Sequence, residues 1–157
     1  MGLEIEHKYL VNDGSYRQMA SRVHHILQGY LSRESRRTVR VRLRDDSGFI
    51  TIKGKSHGAS RPEFEYEIPA DDARQLLALC PPPVLDKDRY IIEFEGHTWE
   101  VDEFHGTLEG LVTAEIELPS EDSSYTTPPF IGKDVTGDHR YSNSHLGISD
   151  KHKASHE

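Results

Sequence analysis

A single cysteine, Cys80, leaves the chain without an internal disulfide, so the fold must rest on packing and hydrogen bonding. No apolar run of roughly 18 residues and no charged-then-apolar leader occur, which argues against a membrane span or a secretion signal. Apolar residues are themselves scarce, 34% of the chain against 29% charged, with aromatics at 8%. Such a shortage can signal disorder, but here the apolar positions are periodic, as a folded chain requires. An excess of positive charge is also missing. Nineteen Lys and Arg stand against 27 Asp and Glu, for a net charge of −8, which argues against a nucleic-acid or anionic-membrane partner but leaves room for a local basic site. Neither an internal repeat nor a linker divides the 157 residues. A single domain over 1–157 is expected, with a frayed polar tail from about 150, large enough to bury roughly two-thirds of its unfolded surface. Together these absences point to a cytoplasmic protein. The ten histidines are scattered; His24-His25 reads as helix surface, and His152 and His156 fall in the tail.

What is present is an alternation that keeps returning. In Leu3–Tyr9, Glu4, Glu6 and Lys8 share one face of a strand, while Leu3, Ile5 and His7 share the other. Thr38–Arg44 sets Arg40, Arg42 and Arg44 against Val39, Val41 and Leu43, and the turn signal Asp45-Asp46-Ser47-Gly48 returns the chain through Phe49–Lys53. Arg61–Ile68 sets Glu63, Glu65 and Glu67 against Phe64, Tyr66 and Ile68. Lys87, Arg89, Glu93 and Glu95 share a register, Glu100 and Asp102 oppose Trp99 and Val101, and Glu115 and Glu117 oppose Ala114, Ile116 and Leu118. Ile26–Ser32 completes eight strands, with Gln28 and Tyr30 on one face. Ser15 is read as the N-cap of a helix running to about His25, on the spacing of Met19, Val23 and Ile26. A second helix opens at Asp71 or Asp72 and stops at Pro81–Pro83. From Pro119 the chain reads as loop, with a short helix near Ser142–Leu146.

The fold class expected is therefore mainly β (α+β), an eight-stranded antiparallel barrel with a few helices packed outside. Its charged faces segregate by sign along the chain, and its alkyl faces need the cover that outside helices could supply. Both features favour an interior lined by charge. Buried ions cost several kcal/mol each unless compensated. Like charges about 4 Å apart repel by roughly 4 kcal/mol at an effective dielectric near 20. A charge-lined barrel is a poor device for stability and a good one for holding a polyanion. Lys8, Arg40, Arg42, Lys53, Lys87 and Arg89 suit a chain of phosphates, Arg as a planar fork and Lys as a point charge. Clustered carboxylates without a Cys or His ligand pattern suit a hard divalent cation, Mg²⁺ or Mn²⁺.

The ordered blocks Glu4-x-Glu6-x-Lys8, Thr38–Arg42, Thr51–Gly54, Glu63–Glu67, Lys87–Arg89, Trp99–Asp102 and Ala114–Leu118, with the tail Gly132–Asp138 and Arg140-Tyr141, resemble the triphosphate tunnel metalloenzymes, the CYTH family, in its short bacterial type. The resemblance implies an antiparallel tunnel that hydrolyses a triphosphate, with inorganic tripolyphosphate favoured, through a metal-bound water attacking the terminal phosphorus. It places Lys8, Arg40, Arg42, Lys53, Lys87 and Arg89 on the phosphates and makes Glu4, Glu6 and Lys8 catalytic. Glu4, Glu6, Glu115 and Glu117 become metal ligands, with Glu63, Glu65 and Asp102 as outer or second-metal positions. Tyr141–Leu146 becomes a candidate lid or plug. The alternatives are an adenylate cyclase, an organic triphosphatase acting on thiamine or nucleoside triphosphates, and a non-catalytic polyphosphate or nucleotide sensor. The partner expected is a small triphosphate-containing molecule, not nucleic acid or membrane, and the apolar outer face is compatible with a homodimer. Glu103 breaks the apolar register where a hydrophobic residue is expected.

Overall fold

The computed structural model describes residues 3–148; the polar tail expected to fray lies outside the described residues. Nine strands form in chain order: β1 (Leu3–Val11), β2 (Arg22–Ser32), β3 (Thr38–Arg44), β4 (Ser47–Lys53), β5 (Ser60–Ile68), β6 (Leu85–Phe94), β7 (His97–Phe104), β8 (Val112–Glu117) and β9 (Ile131–Asp134). The sheet runs β5-β4-β3-β2-β6-β7-β8-β1, every named pairing is antiparallel, and β5 pairs with β1 to close an eight-stranded barrel. The closing seam is short. Leu3, Glu4 and Ile5 oppose Pro62, Arg61 and Ser60, and beyond them β9 takes the same side of β1 at Tyr9–Val11.

Residues directly opposite in an antiparallel ladder point to the same face. The register therefore carries one charged position to the next around the wall: Lys8 to Glu115, Glu115 to Glu100, Arg89 to Asp102, Arg42 to Gln28, Arg40 to Thr51, Thr51 to Glu65 and Lys53 to Glu63. The charged faces line the interior and the apolar faces turn outward. Outside, Ile5, Tyr9, Trp99, Val101, Ala114 and Ile116 pack with Tyr16, Leu118 and Phe130 from the connecting segments. The helix α2 (Ala70–Leu79) covers Val41 and Leu43 through Ala73. Its approach is close: a Cβ on Gly48 would meet the Ala73 Cβ at 2.7 Å. Asp71 and Asp72 in its first turn suit the helix dipole, and Cys80, extended ahead of Pro81, ends it. At the end of the barrel where β2 and β7 finish and β6 begins, Tyr30, Leu85, Phe104, Leu108 and Leu146 form a separate apolar cluster.

Four expectations are corrected. The first helix, α1, spans only Tyr16–Met19, and β2 begins at Arg22, so His24 and His25 lie on a strand. Their rings pair with Asp45 and Asp86, each at 2.6 Å. Helical spacing of Met19, Val23 and Ile26 was outweighed by the pairing of Arg22–Gln28 with Ile91–Leu85, a long-range contact that local periodicity does not report. Ser15 makes no side-chain cap; Asp13 accepts from its backbone N–H instead. The short strand β9 appears in a stretch read as loop. Near the C-terminus a 3₁₀ turn at His139–Tyr141, capped by Asp138, followed by further turns, replaces the helix expected at Ser142–Leu146.

Glu103 proves to be structural. Its carboxylate accepts from the hydroxyl of buried Tyr16 and from Arg17 Nε at 2.9 Å, tying α1 to the outside of β7. Glu103→Leu should destabilise the protein by about 1–2 kcal/mol, because it strands the Tyr16 hydroxyl, whereas Glu103→Gln, which keeps an acceptor, should lose less. Urea unfolding of the two variants checks this; equal losses would mean that the charge on exposed Arg17 matters more than the hydroxyl.

Candidate active site

The barrel encloses a cavity of about 770 Å³ with opposed walls. Glu4, Glu6, Glu63, Glu65, Glu115 and Glu117 line it from β1, β5 and β8, and Arg40, Arg42 and Arg89 from β3 and β6. Lys8 and Lys53 line it too, each beside acids. Lys53 Nζ lies 3.0 Å from both Glu4 oxygens and 3.7 Å from Glu63. Lys8 Nζ lies 3.5 Å from Glu115 and donates to the Tyr141 carbonyl at 2.9 Å. Arg40 reaches Glu65 at 3.3 Å and Thr51 at 3.1 Å, and Thr51 in turn donates to Glu65 at 2.7 Å. Arg89 forks onto Asp102 through Nε and Nη2 at 2.7 and 2.8 Å and also approaches Glu100 and Glu115.

Of the residues expected at the site, all but two reach the cavity wall. Lys87 and Asp102 lie behind it, 0% and 1% exposed, with Lys87 Nζ 2.8 Å from Asp102. Both Asp102 oxygens are taken by Arg89 and Lys87, so in this arrangement they brace Arg89 from behind. Burial pushes Lys87 down to about 7 despite Asp102. Against the desolvation of its site, Asp102 is held well below the carboxylate range by Arg89 and Lys87. Thr51, Gln28, Tyr30 and the Tyr141 carbonyl were not assigned roles from sequence. Alternation did place Thr51 with Lys53, and Gln28 with Tyr30, but neutral side chains carry no charge signal.

The carboxylates fall into two groups. Glu115, although desolvation works the other way, is held at about 2 by Lys8 and Arg89, and Glu65 is likewise lowered by Thr51 and Arg40. Glu6 is driven well above the ordinary range by burial and by Glu115 and Glu4. Glu63 is raised by burial and Glu4, and Glu117 is pushed up to about 7 by burial, Glu4 and Glu63. Glu6 and Glu117 are direct ladder partners, like charge opposite like charge. This part of the wall has more negative charge than its own lysines offset, and a hard divalent cation fits it. Among the described residues no three carboxylates or histidines are closed into a metal cage.

A closed antiparallel tunnel with facing acidic and basic walls defines a class of protein that holds a polyanion together with a cation. The chain belongs to the CYTH domain family, whose family model matches residues 2–155. It is 51% identical to an inorganic triphosphatase of Acetivibrio thermocellus over 147 residues, 93% of this chain and 94% of that protein. It is 34% identical to an inorganic triphosphatase of Nitrosomonas europaea over 154 residues, covering 93% and 97%. A crystal structure of an inorganic triphosphatase superposes with a TM-score of 0.64 at 31% identity, covering 93% of this chain and 98% of that one.

Two outcomes follow from the electrostatics. A carboxyl raised from 4.5 to about 7 keeps its proton in the native state after the unfolded chain has lost it, so its contribution to stability falls as pH rises between those values. In EDTA the melting temperature should drop from pH 5 to pH 7.5, and Glu117→Gln should flatten that drop; an unchanged slope in the variant would place the effect elsewhere. Asp102→Asn should lose about 3–5 kcal/mol, as expected when a buried cation is left unpaired. Extra Mg²⁺ should not restore it; recovery of activity at high metal would instead mark Asp102 as a metal ligand.

Proposed function

We propose that this chain is a divalent-metal-dependent inorganic triphosphatase, acting as one tunnel domain on tripolyphosphate. The observation that carries the reading is the pair of opposed walls. One is a basic wall built from Arg40, Arg42 and Arg89; the other is an acidic wall whose raised carboxyls call for a cation. Arg40, Arg42, Lys53 and Arg89 bind and orient the phosphate oxygens, neutralising charge as it shifts toward the leaving group. Lys8, held by Glu115 and the Tyr141 carbonyl, sets a point charge between the walls. Glu4, Glu6, Glu63 and Glu117 would hold Mg²⁺ or Mn²⁺. That ion, when bound, supplies charge neutralisation and an acidified water. An acidic-wall carboxylate that has given up its proton orients the attacking water and receives its proton.

An inorganic substrate is favoured over a nucleotide because the cavity offers little to stack a base on. Besides histidines, Tyr30 is its aromatic among the described residues, and that ring is buried and overlaid by Arg33 at 5.3 Å. Within this reading the protein is cytoplasmic, its partner is a small anion rather than nucleic acid or membrane, and Tyr141–Leu146 shields one mouth. The exposed strip Ile52, Phe64 and Tyr66 is the surface open to a second copy of the chain. No described helix is long and apolar enough to cross a membrane.

The test is phosphate release from tripolyphosphate, ATP and pyrophosphate in parallel, with Mg²⁺, Mn²⁺ or EDTA. Turnover that needs metal and prefers tripolyphosphate is expected. Metal-dependent binding without turnover would replace the enzyme with a sensor, and cyclic AMP from ATP would replace it with a cyclase.

A further inference from the structure

Gln28 and Tyr30 lie on the lumen side of β2 and have no part in the machinery above. Gln28 is 0% exposed. Its Oε1 accepts from Arg42 Nε at 3.3 Å, and its Nε2 donates to the Tyr30 hydroxyl at 2.7 Å. Donor chemistry fixes the amide's orientation. A guanidinium N–H only donates, so the amide oxygen must face Arg42, and the NH₂ is left to face Tyr30. Having accepted that bond, the Tyr30 hydroxyl keeps its own proton for another acceptor. The ladder supports the chain, since Gln28 stands opposite Arg42 and Tyr30 opposite Arg40.

Arg42 also differs from the other buried cations of the cavity wall and from Lys53. Lys8, Arg40, Lys53 and Arg89 each have a carboxylate within ion-pair distance, at 3.5, 3.3, 3.0 and 2.7 Å. Among the described residues Arg42 has none, and the wall offers it a neutral amide. Burial, with Arg40 and Arg89 beside it, lowers Arg42 to about 9, still a cation at neutral pH. A carboxylate at position 28 would cancel that charge. An amide fixes the direction of the guanidinium and leaves its charge for a ligand.

We propose that Gln28 is a positioning residue that tethers Arg42 through Nε, keeping its outer nitrogens as an uncancelled fork for a phosphate, and turns the Tyr30 hydroxyl toward the lumen as a neutral donor to the same phosphate chain. The proposal rests on the tunnel being a triphosphate site. It adds two polar groups, neither charged, to the set that selects the substrate.

Steady-state kinetics on tripolyphosphate, combined with NMR of the Arg42 Nε–H, tests it. Gln28→Leu should raise KM about tenfold, the loss of one hydrogen bond to a charged group, and raise it by more than it lowers kcat. In an Arg42→Lys background, which has no Nε to hold, the same change should add only the smaller factor expected of Tyr30→Phe. Gln28→Glu should keep the Nε–H protected from exchange yet raise KM at least as much, by cancelling the charge. Tyr30→Phe should raise KM by a smaller factor. Equal effects of Gln28→Leu with and without Arg42, or a wild-type KM in Gln28→Leu, would overturn the proposal. Should Gln28→Leu fail to fold, a wild-type KM in both Gln28→Glu and Tyr30→Phe would overturn it as well. Absence of turnover by the wild-type protein would instead sink the triphosphatase reading. The tether would still be decided, because loss of Nε–H protection in Gln28→Leu is expected whatever the substrate, and unchanged exchange contradicts it.

Discussion

The structure depends on one constraint: charges placed inside a closed sheet must find partners there or acquire them from outside. The lumen meets the first condition on part of its wall and leaves the second open on the rest. Asp102 is the clearest case of internal compensation, with Arg89 forked onto it and Lys87 against its back. Lys8 with Glu115 and Arg40 with Glu65 are further cases. Such pairs return only part of the desolvation they suffer, so they are better understood as fixing direction than as adding stability. The unmet remainder is sorted in space. Surplus negative charge collects at Glu6, Glu63 and Glu117, while buried Arg42 is met by the Gln28 amide and, among the described residues, by no carboxylate within ion-pair distance. A cation and a polyanion entering together would satisfy both at once.

Because the interior is charged, stability has to come from the outside of the barrel. Trp99, Val101, Ala114 and Ile116 on the outer faces of β7 and β8 are 0–1% exposed, which for the outside of a sheet requires a cover. Tyr16 and Phe130 provide it, and α2 does the same for Val41 and Leu43. The cover stops at β4 and β5, where Ile52, Phe64 and Tyr66 are 40%, 45% and 59% exposed. Glu103 belongs to this outer layer. An acid in an apolar register becomes intelligible once Tyr16 brings a hydroxyl that has to be satisfied.

Much of this was legible in the sequence because a strand has a period of two and the charges keep to it. Thr38–Arg44 forms as expected, and so does the inward turn of Arg40 and Arg42. Sign segregation along the chain correctly indicated that the charged faces point in. What escaped was decided by contacts distant in sequence. Helical spacing of Met19, Val23 and Ile26 favours a helix over the first half of β2, whereas in the strand that pairing with β6 imposes, Val23 and Ile26, three residues apart, fall on opposite faces. The short strand β9 was missed because its few residues have meaning only as the continuation of β5 along β1. At the site, periodicity gives the face but not the depth. Lys87 and Arg89 share a register, yet Arg89 reaches the lumen and Lys87 is sealed behind it, beside Phe104 at 5.4 Å. Neutral groups such as Gln28 left no mark beyond the face they share.

The first strand shows why fold and chemistry cannot be separated here. β1 is the strand on which the barrel closes. Its start pairs with β5, its middle with β8, and its end with β9. Between β5 and β9 the backbone N–H of Glu6 is taken by the Ala59 carbonyl, and that of Lys8 by the Thr136 hydroxyl at 2.9 Å. The same short stretch points Glu4, Glu6 and Lys8 inward. The contacts that hold the seam therefore also set the positions of lumen charges, and the C-terminal segment holds Lys8 at both ends, through Val135 and Thr136 at its backbone and Tyr141 at its ammonium. A slip of one residue in β1 would exchange Glu4, Glu6 and Lys8 for Leu3, Ile5 and His7. It would remove both the closure and the charges that make the closed lumen useful, so the register of this strand is the point at which the geometry of the wall and the chemistry within it are specified together.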